Sequence, residues 1–314
     1  MGYTMTREIG WENISQAPRS ILTVGTFDGV HRGHQAIVEY LLDRAREREG
    51  ISTVVSFDPH PRSVVHDESV PLLTTVDERA SFLADLGIDR FVVVPFSSTF
   101  AQLSPEEYVQ DVLVRRIGLQ EITVGYDHRF GRKRAGDVDL LKQLGERHGF
   151  DVDVIPPQEV GPDIVSSSAI RERVGAGDVQ RAAELLGRPY QLAGTVARGK
   201  GRGRKIGYPT ANLSIPDPRK LVPKNGVYAV CVVLPSGDTK EGMLNIGHRP
   251  TFDEMDVTVE VHLLDFEADL YGETLTVQFM QRLRDEQKFA SADALATQLS
   301  EDEQHCKRVL EDRD

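Results

Sequence analysis

Two histidines, His31 and His34, stand three residues apart at the end of a glycine-rich turn. The turn, GTFDGVHRGHQ, follows the β-branched run ILTV and precedes a helical pattern, which predicts a tight strand-to-helix connection. At such a connection, the free backbone N–H groups around Gly25, Gly29 and Gly33 and the positive end of the helix dipole favour an anion. Both imidazoles then lie on one side of the helix start. We predict a phosphate-binding loop; the alternative is a surface turn with two ordinary histidines.

Further polar residues open a later helix. Ser167, Ser168 and Arg171 lie in VSSSAIRERVGAGD, where hydroxyls, the first N–H groups of the helix and a guanidinium converge on a phosphate. Asp28, inside the glycine-rich turn, has alternative roles: it orients the loop, touches a metal ion, or stabilises the turn.

A second candidate site lies in the segment RGKGRGRKIGYPTANLSIP. Its glycines allow the basic loop to close over phosphates, and Pro209 fixes the chain direction. Thr210 and Asn212 share one face of an extended chain, and their oxygens are hard ligands suited to Mg²⁺; the alternative is a plain strand entrance. In VTVEVHLLDF, alternation places Glu260 opposite the apolar face, where it is either solvated or faces a site.

The residues of the first candidate site lie among strand and helix patterns that alternate regularly along the chain. Short β-branched runs at 21–24, 52–57, 91–96, 121–124 and 151–155 alternate with helical patterns. Thr75 with Glu78 and Ser104 with Glu107 form capping boxes that mark two helix starts. The first half is therefore predicted to be an α/β parallel sheet covered by helices.

The pattern changes near residue 188. Gly187 and Pro189 end a helix, and the segments that follow alternate with period two. The final stretch, SADALATQLSEDEQHCKRVLEDR, has a helical pattern. We predict two domains, residues 1–188 and 189–314, the second being a small antiparallel β-barrel with a C-terminal helix.

Composition and charge exclude several classes of protein. The hydrophobic content of 39%, aromatic content of 7% and charged content of 27% are ordinary for a soluble globular protein, and argue against disordered, collagen-like and membrane classes. The net charge of −12 argues against broad nucleic-acid binding. The 2 cysteines form neither a disulfide framework nor a paired-cysteine metal site. With no secretory pattern at the N-terminus, we expect a cytoplasmic protein with no membrane partner.

The first half resembles the nucleotidyltransferase superfamily that transfers AMP from ATP, in which HxGH binds the triphosphate. SFDPHP at 56–61, VGYDHRFGRKRAGD at 124–137 and VSSSAIRERVGAGDVQRAAELLGRPY at 165–190 narrow the resemblance to bacterial bifunctional riboflavin kinase/FAD synthetases. It implies a Rossmann-like HxGH domain. It also implies catalytic roles for His31 and His34, nucleotide binding by Gly25, Phe27, Asp28, Gly33, Ser167, Ser168 and Arg171, and flavin binding by Pro59, Pro61, Asp127 and Arg129. Two residues depart from the family pattern: His128 stands where many relatives have Phe, and Ser168 where many have Thr.

The second half resembles the flavokinase module of the same family. The resemblance rests on the ordered stretches GRxxGYPTAN, GVYAV, NIGHRPTF, VEVHLLDF, DLYG and LRDEQKF. It implies that Thr210 and Asn212 hold Mg²⁺ with ATP, that Gly199, Lys205, Gly207 and Pro209 complete the nucleotide site, and that Glu260 is the base for the riboflavin 5′-hydroxyl.

The expected activity is thus a bifunctional transferase: riboflavin and ATP give FMN, and FMN and ATP give FAD and pyrophosphate, with Mg²⁺ assisting. One alternative is an RNA-linked adenylylating enzyme, which needs a basic RNA surface and a KMSKS-like loop; the sequence has neither. The other is a flavin-binding regulator, which would tolerate loss of His31, His34, Asn212 or Glu260; all four are present. We expect small-molecule partners and no nucleic acid, and the sequence leaves a weak homo-oligomer open.

Overall fold

The computed structural model describes residues 4–156, 159–160, 163–198, 203, 207–250 and 255–311. By packing, the chain divides into two compact units, Met1–Ser167 and Ser168–Asp314. The predicted domain boundary near residue 188 rests on a different criterion, the change in sequence pattern, and stays a prediction.

The first unit is built on a six-stranded parallel sheet. Its order is β1-β4-β3-β2-β5-β6, and every neighbouring pair is parallel. The strands are β1 (Thr6–Ile9), β2 (Ser20–Val24), β3 (Ile51–Asp58), β4 (Arg90–Pro95), β5 (Leu119–Gly125) and β6 (Asp151–Ile155). The predicted parallel sheet is confirmed.

Helices cover this sheet. They are α1 (Arg32–Glu47), α2 (Pro61–Val65), α3 (Val76–Asp85), α4 (Pro105–Glu107), which continues as a π-helical segment (Tyr108–Ile117), and α5 (Val138–His148). A short hairpin, β7 (Glu159–Val160) and β8 (Asp163–Ile164), follows. The capping boxes of Thr75 with Glu78 and Ser104 with Glu107 both form, because each hydroxyl accepts from the glutamate N–H while the carboxylate accepts from the cap residue. Val38 and Leu41 of α1 are buried against the sheet.

The second unit contains a closed antiparallel barrel of order β10-β13-β12-β11-β14-β9. Its elements are α6 (Ser167–Ala176), α7 (Val179–Leu186), β9 (Tyr190–Ala197), β10 (Ala211–Ser214), β11 (Gly226–Val233), β12 (Thr239–Pro250), β13 (Met255–Leu263), β14 (Thr274–Arg284) and α8 (Ala292–Glu311). Cys306 and Leu310 of α8 are buried with Ala229 and Met243 of the barrel. The predicted barrel with its C-terminal helix is confirmed.

The turn between α6 and α7 packs closely on the barrel. Gly177 has a left-handed φ of 83°, and a Cβ there would lie 2.6 Å from Cδ of Arg282 on β14. The backbone N–H of Lys224 also donates to the carbonyl of Val174 at 3.4 Å. These contacts explain why α7 and nearly all of α6 group with the barrel. Within the described residues, no helix combines the length and apolarity needed to cross a membrane.

Candidate functional site

The connection from β2 to α1, residues 25–34, is called the β2–α1 loop below. Its backbone is left-handed at Phe27, Gly29 and Val30, with φ of 49°, 88° and 39°. Phe27 and Val30 are each 1% exposed, so their side chains are fixed in the core. Bulky residues adopt this conformation only where their surroundings enforce it, and such positions cluster at ligand sites. The burial of Phe27 and Val30 therefore holds the loop backbone in this conformation.

Asp28 is fully committed to holding this loop. Its Oδ1 accepts from the N–H and hydroxyl of Thr74 at 2.8 and 3.0 Å, and its Oδ2 accepts from the N–H of Leu73 at 3.0 Å. The Thr74 hydroxyl oxygen accepts in turn from the N–H of Gly29 at 2.8 Å. Asp28 is only 1% exposed. Among the alternatives that the sequence leaves open, these contacts favour the orienting role.

Replacing Asp28 by Asn should therefore destabilise the first unit. The new amide N–H₂ would face an N–H donor of residue 73 or 74, and a buried donor left unsatisfied costs about 1–3 kcal/mol. Trp11 is the only tryptophan of the chain and lies in this unit, so its fluorescence during urea unfolding measures the change. The exposed Asp85, replaced by Asn, is the matched control. An unchanged unfolding midpoint in Asp28→Asn would show that the carboxylate is not needed.

His31 and His34 lie together at the start of α1, as predicted. The rings stack with centroids 3.6 Å apart and an interplanar angle of 15°. The Phe27 ring packs against the His34 ring, with centroids 4.6 Å apart. His31 is the N-cap of α1, because its Nδ1 accepts from the backbone N–H of His34 at 3.3 Å. An accepting Nδ1 carries no hydrogen, so the neutral ring bears its hydrogen on Nε2 and can donate it to a ligand.

Ser167 is also brought to this loop. Its hydroxyl donates to the carbonyl of Asp28 at 2.8 Å. A Cβ on Gly33 would lie 3.2 Å from the His31 ring and 3.7 Å from the carbonyl of Val165. Glycine at 33 thus leaves room for the His31 ring, and the carbonyl of Val165, just before α6, lies within ordinary contact distance of this position. Ser168 and Arg171 follow on α6, within the second compact unit.

The predicted flavin-binding residues lie after neighbouring strands. Pro59 and Pro61 follow β3, where Pro61 opens α2, and Asp127 and Arg129 follow β5. Since β3, β2 and β5 are adjacent and parallel, these residues follow the same sheet edge as the β2–α1 loop, the edge where such sheets bind ligands. Arg129 donates from Nη1 to Oδ2 of Asp137 at 3.1 Å. The sheet thus brings the predicted flavin loops alongside the predicted phosphate loop.

An aromatic cluster beside these loops was missed by the sequence reasoning. Its rings lie 5.3 to 6.1 Å from their neighbours and belong to Phe57, Phe96, Phe100, Tyr108 and Phe130. Burial raises the pKa of Tyr108, whose hydroxyl forms no hydrogen bond among the described residues. The rings come from separate parts of the chain, so no local pattern signals the cluster.

His128 extends this cluster as a neutral ring. It stacks on Phe130, with centroids 5.7 Å apart and planes 23° apart. Burial lowers the pKa of His128 from 6.5 to about 4. The ring is therefore uncharged at neutral pH and packs as an aromatic ring against Phe130.

This shift predicts a pH-dependent loss of stability. Between pH 6.5 and about 4 the unfolded chain binds a proton at His128 that the folded chain does not, so the free energy of unfolding falls as the pH falls through this window. His128→Phe should remove this contribution. Trp11-monitored urea unfolding at about pH 7 and pH 5 measures it: wild type should lose more stability than the variant. Equal losses would contradict the assignment.

The second group of residues lies on two adjacent barrel strands and is called the β10–β13 site. The Thr210 hydroxyl donates to Oε2 of Glu260 at 3.2 Å. Asn212 is the direct register partner of Glu260, so both side chains project from the same face. Val259 and Val261 on the opposite face are buried. Of the alternatives for Glu260, this arrangement favours a site over simple solvation.

The segment before Thr210 is held from two sides. Nδ1 of His262 donates to the carbonyl of Pro209 at 2.8 Å, because a carbonyl can only accept. The Tyr208 ring packs edge-on against the His262 ring, with centroids 5.2 Å apart. The Tyr208 hydroxyl donates to Oε2 of Glu303 on α8 at 3.2 Å. Pro209 and Thr210 are therefore positioned by β13 and α8.

The remaining residues of the second half concern the loop before Thr210 and the possible metal donors. Gly207 has a left-handed φ of 86°, while Gly199 and Lys205 lie outside the described residues. Arg284 forms a two-pronged ion pair with Asp302 at 2.7 to 3.0 Å, which links the end of β14 to α8. Within the described ranges no group of three His, Cys, Asp or Glu side chains could hold a metal ion. The hydroxyl and amide oxygens of Thr210 and Asn212 remain the donors suited to Mg²⁺.

Two family models match separate parts of the chain. The family model for FAD synthetase matches residues 13–169, and the family model for riboflavin kinase matches residues 186–310. The β2–α1 loop falls in the first match and the β10–β13 site in the second.

Curated relatives match along most of their length. The Pseudomonas fluorescens bifunctional riboflavin kinase/FMN adenylyltransferase is 42% identical over 283 residues, 90% of each chain. The Escherichia coli K12 protein of the same name is 39% identical over 297 residues, 94% of each chain. The Listeria monocytogenes protein of that name is 37% identical over 298 residues, 94% of this chain and 92% of the relative.

Among solved structures, a Streptococcus pneumoniae protein described as a macrolide-efflux protein superposes with a TM-score of 0.88 at 32% identity, covering 96% of this chain and 98% of its own. The two family matches together span both units, and the curated relatives share one name and match almost end to end. Both comparisons indicate the same family. The chain belongs to the bifunctional riboflavin kinase/FMN adenylyltransferase family.

Proposed function

We propose that this chain makes FAD from riboflavin at two separate sites, one in each half. At the β10–β13 site, riboflavin and ATP give FMN and ADP; at the β2–α1 loop, FMN and ATP give FAD and pyrophosphate. The observation that carries this proposal is that each family-matched half has its own group of polar residues gathered by the fold. The family matches and the curated relatives agree on flavin chemistry, which favours this activity over the efflux role named for the Streptococcus pneumoniae protein.

Adenylyl transfer needs positioning and charge neutralisation more than covalent help from the protein. A phosphate oxygen of FMN attacks the α-phosphorus of ATP, a P–O bond forms, and the bond to the β-phosphate breaks to release pyrophosphate. His31, through Nε2–H, and His34 donate to the departing phosphates. Ser167 fixes the loop through the Asp28 carbonyl. Ser168 and Arg171 stay in the nucleotide-binding set on sequence grounds, because they continue the helix that Ser167 begins.

The remaining adenylyltransferase residues position the two substrates. Gly25, Phe27, Asp28 and Gly33 shape the loop around the nucleotide. Pro59, Pro61, Asp127 and Arg129 bind the flavin, and the aromatic cluster with His128 supplies flat apolar surface for an isoalloxazine ring.

Phosphorylation of riboflavin needs a base, because a primary alcohol is a poor nucleophile. Glu260 accepts the proton of the riboflavin 5′-hydroxyl. The 5′-oxygen attacks the γ-phosphorus of ATP, and ADP leaves. The hydrogen bond from Thr210 orients the carboxylate. Gly199, Lys205, Gly207 and Pro209 form the nucleotide loop before it.

Mg²⁺ fits the donors of the β10–β13 site. Because the Thr210 hydroxyl donates its hydrogen to Glu260, its oxygen lone pairs remain available to a cation, and the Asn212 amide offers a second oxygen. When bound, the ion neutralises charge on the ATP phosphates.

We assign residues 1–188 to adenylyl transfer and 189–314 to the kinase. We further propose a cytoplasmic location and small-molecule partners, with neither nucleic acid nor membrane as a partner. The two cysteines, Cys231 and Cys306, are buried and not joined in a disulfide, which fits a reducing compartment.

A time course tests the proposal. Purified protein is incubated with riboflavin, ATP and Mg²⁺, and the flavins, ADP and pyrophosphate are separated by chromatography. FMN should appear first with ADP, then FAD with pyrophosphate. FMN without FAD would remove the adenylyltransferase assignment, and flavin binding without turnover would favour a regulator.

A further inference from the structure

The outer face of strands β12 and β13 extends the β10–β13 site. In the antiparallel register, Asn245 lies directly opposite Glu260, and Gly247 lies directly opposite Thr258. Opposed residues share a face with Cβ atoms about 4.5–5.5 Å apart. Glu260 is thus flanked by Asn212 on one side and Asn245 on the other.

Glu286, just beyond β14, reaches over this face at Gly247. A Cβ built on Gly247 would lie 2.5 Å from Oε1 of Glu286 and 3.3 Å from Nδ2 of Asn245. The carboxylate and the amide therefore converge above the glycine, and a side chain at 247 would displace the carboxylate. Gly247 lies two residues beyond Asn245 on β12, a distance of about 6.6 Å along the strand.

Neither polar group is engaged elsewhere in the part of the chain that the structure describes. The Asn245 amide and the Glu286 carboxylate form no hydrogen bond or ion pair there, and Glu286 is exposed. An amide donates and accepts, and a carboxylate only accepts, so together they suit a run of hydroxyl groups.

We propose that Asn245 and Glu286 bind the secondary hydroxyls of the ribityl chain of riboflavin. This inference rests on the proposed role of Glu260 as the base. With the reacting 5′-hydroxyl at Glu260, the chain runs along the strand toward Gly247, and its hydroxyls meet the amide and then the carboxylate. The two residues thereby select a polyhydroxylated chain over a plain alkyl alcohol.

Two substrates and three variants test this. The substrates are riboflavin and a flavin whose ribityl chain is replaced by 5-hydroxypentyl, which keeps the reacting alcohol and lacks the other hydroxyls. Glu286→Gln, Asn245→Ala and Gly247→Ala should each lower kcat/KM for riboflavin about tenfold to a hundredfold, mainly through KM. For the hydroxypentyl flavin, the same three variants should change kcat/KM less than about twofold, because this substrate has no secondary hydroxyls for the two residues to bind. The KM for ATP should not move.

Controls separate the possible failures. Glu267→Gln, an exposed carboxylate in the turn after β13, should behave as wild type, and adenylylation of supplied FMN should persist in every variant. Equal losses with both flavins, or no loss with riboflavin, would overturn the inference. If Glu260→Gln itself still phosphorylates riboflavin, the proposed kinase site is wrong, and the inference falls with it.

Discussion

Replacing Glu260 by Gln is expected to lower riboflavin phosphorylation by about 10²–10⁴-fold. The amide keeps the size and the hydrogen-bonding oxygen of the carboxylate but cannot accept the proton of the 5′-hydroxyl. The Thr210 hydroxyl can still donate to it, so the strand geometry should persist. The loss should appear in kcat, measured as FMN formed from riboflavin at saturating ATP.

Adenylylation of supplied FMN is the internal control for Glu260→Gln. It depends on the β2–α1 loop and should keep its wild-type rate. The Glu267→Gln protein should retain both activities. Loss of both activities in a folded Glu260→Gln protein would contradict the assignment of two sites.

Replacing His34 by Ala should lower FMN adenylylation by about 10²–10³-fold, the usual cost of removing one donor that faces charge developing in a transition state. The same change should leave the kinase untouched. The backbone N–H of His34, not its ring, donates to His31, so the cap of α1 should survive.

His31 requires a more selective substitution because it has two roles. His31→Asn retains a side-chain oxygen that can cap α1 but removes the Nε2 donor. Adenylylation should fall as in His34→Ala, while Trp11-monitored unfolding stays near wild type. His148→Ala, at the end of α5, is the matched histidine control. Full adenylylation in both His31→Asn and His34→Ala would show that the imidazoles do not act on the phosphates.

Much of the fold was predictable because local patterns agree with it. Strands β2 to β5 are rich in β-branched residues and largely buried, and the two capping boxes form as the spacing indicates. Strand β1 was missed because its sequence, TREI, is polar. It joins the sheet edge beside β4, and its buried Glu8 pairs with Arg90 at 2.6 Å. Such a long-range ion pair leaves no local signal.

The candidate sites were predictable only where a motif is contiguous. The stacked histidines and the Thr210 and Asn212 pair follow from short spacings. The aromatic cluster, the contacts of Asp28 with residues 73–74, and the convergence of Asn245 and Glu286 over Gly247 depend on tertiary pairing. For Asp28 several roles were open from the sequence alone, and its buried partners favour one of them.

The central claim is that one chain carries two independent active sites. The direct measurement is FAD formation from riboflavin and ATP by Glu260→Gln protein, by His34→Ala protein, and by a mixture of the two. Each variant alone should make almost no FAD, the His34→Ala protein should accumulate FMN, and the mixture should form FAD as one protein supplies FMN to the other. A mixture that stays inactive although each variant is folded would contradict the account.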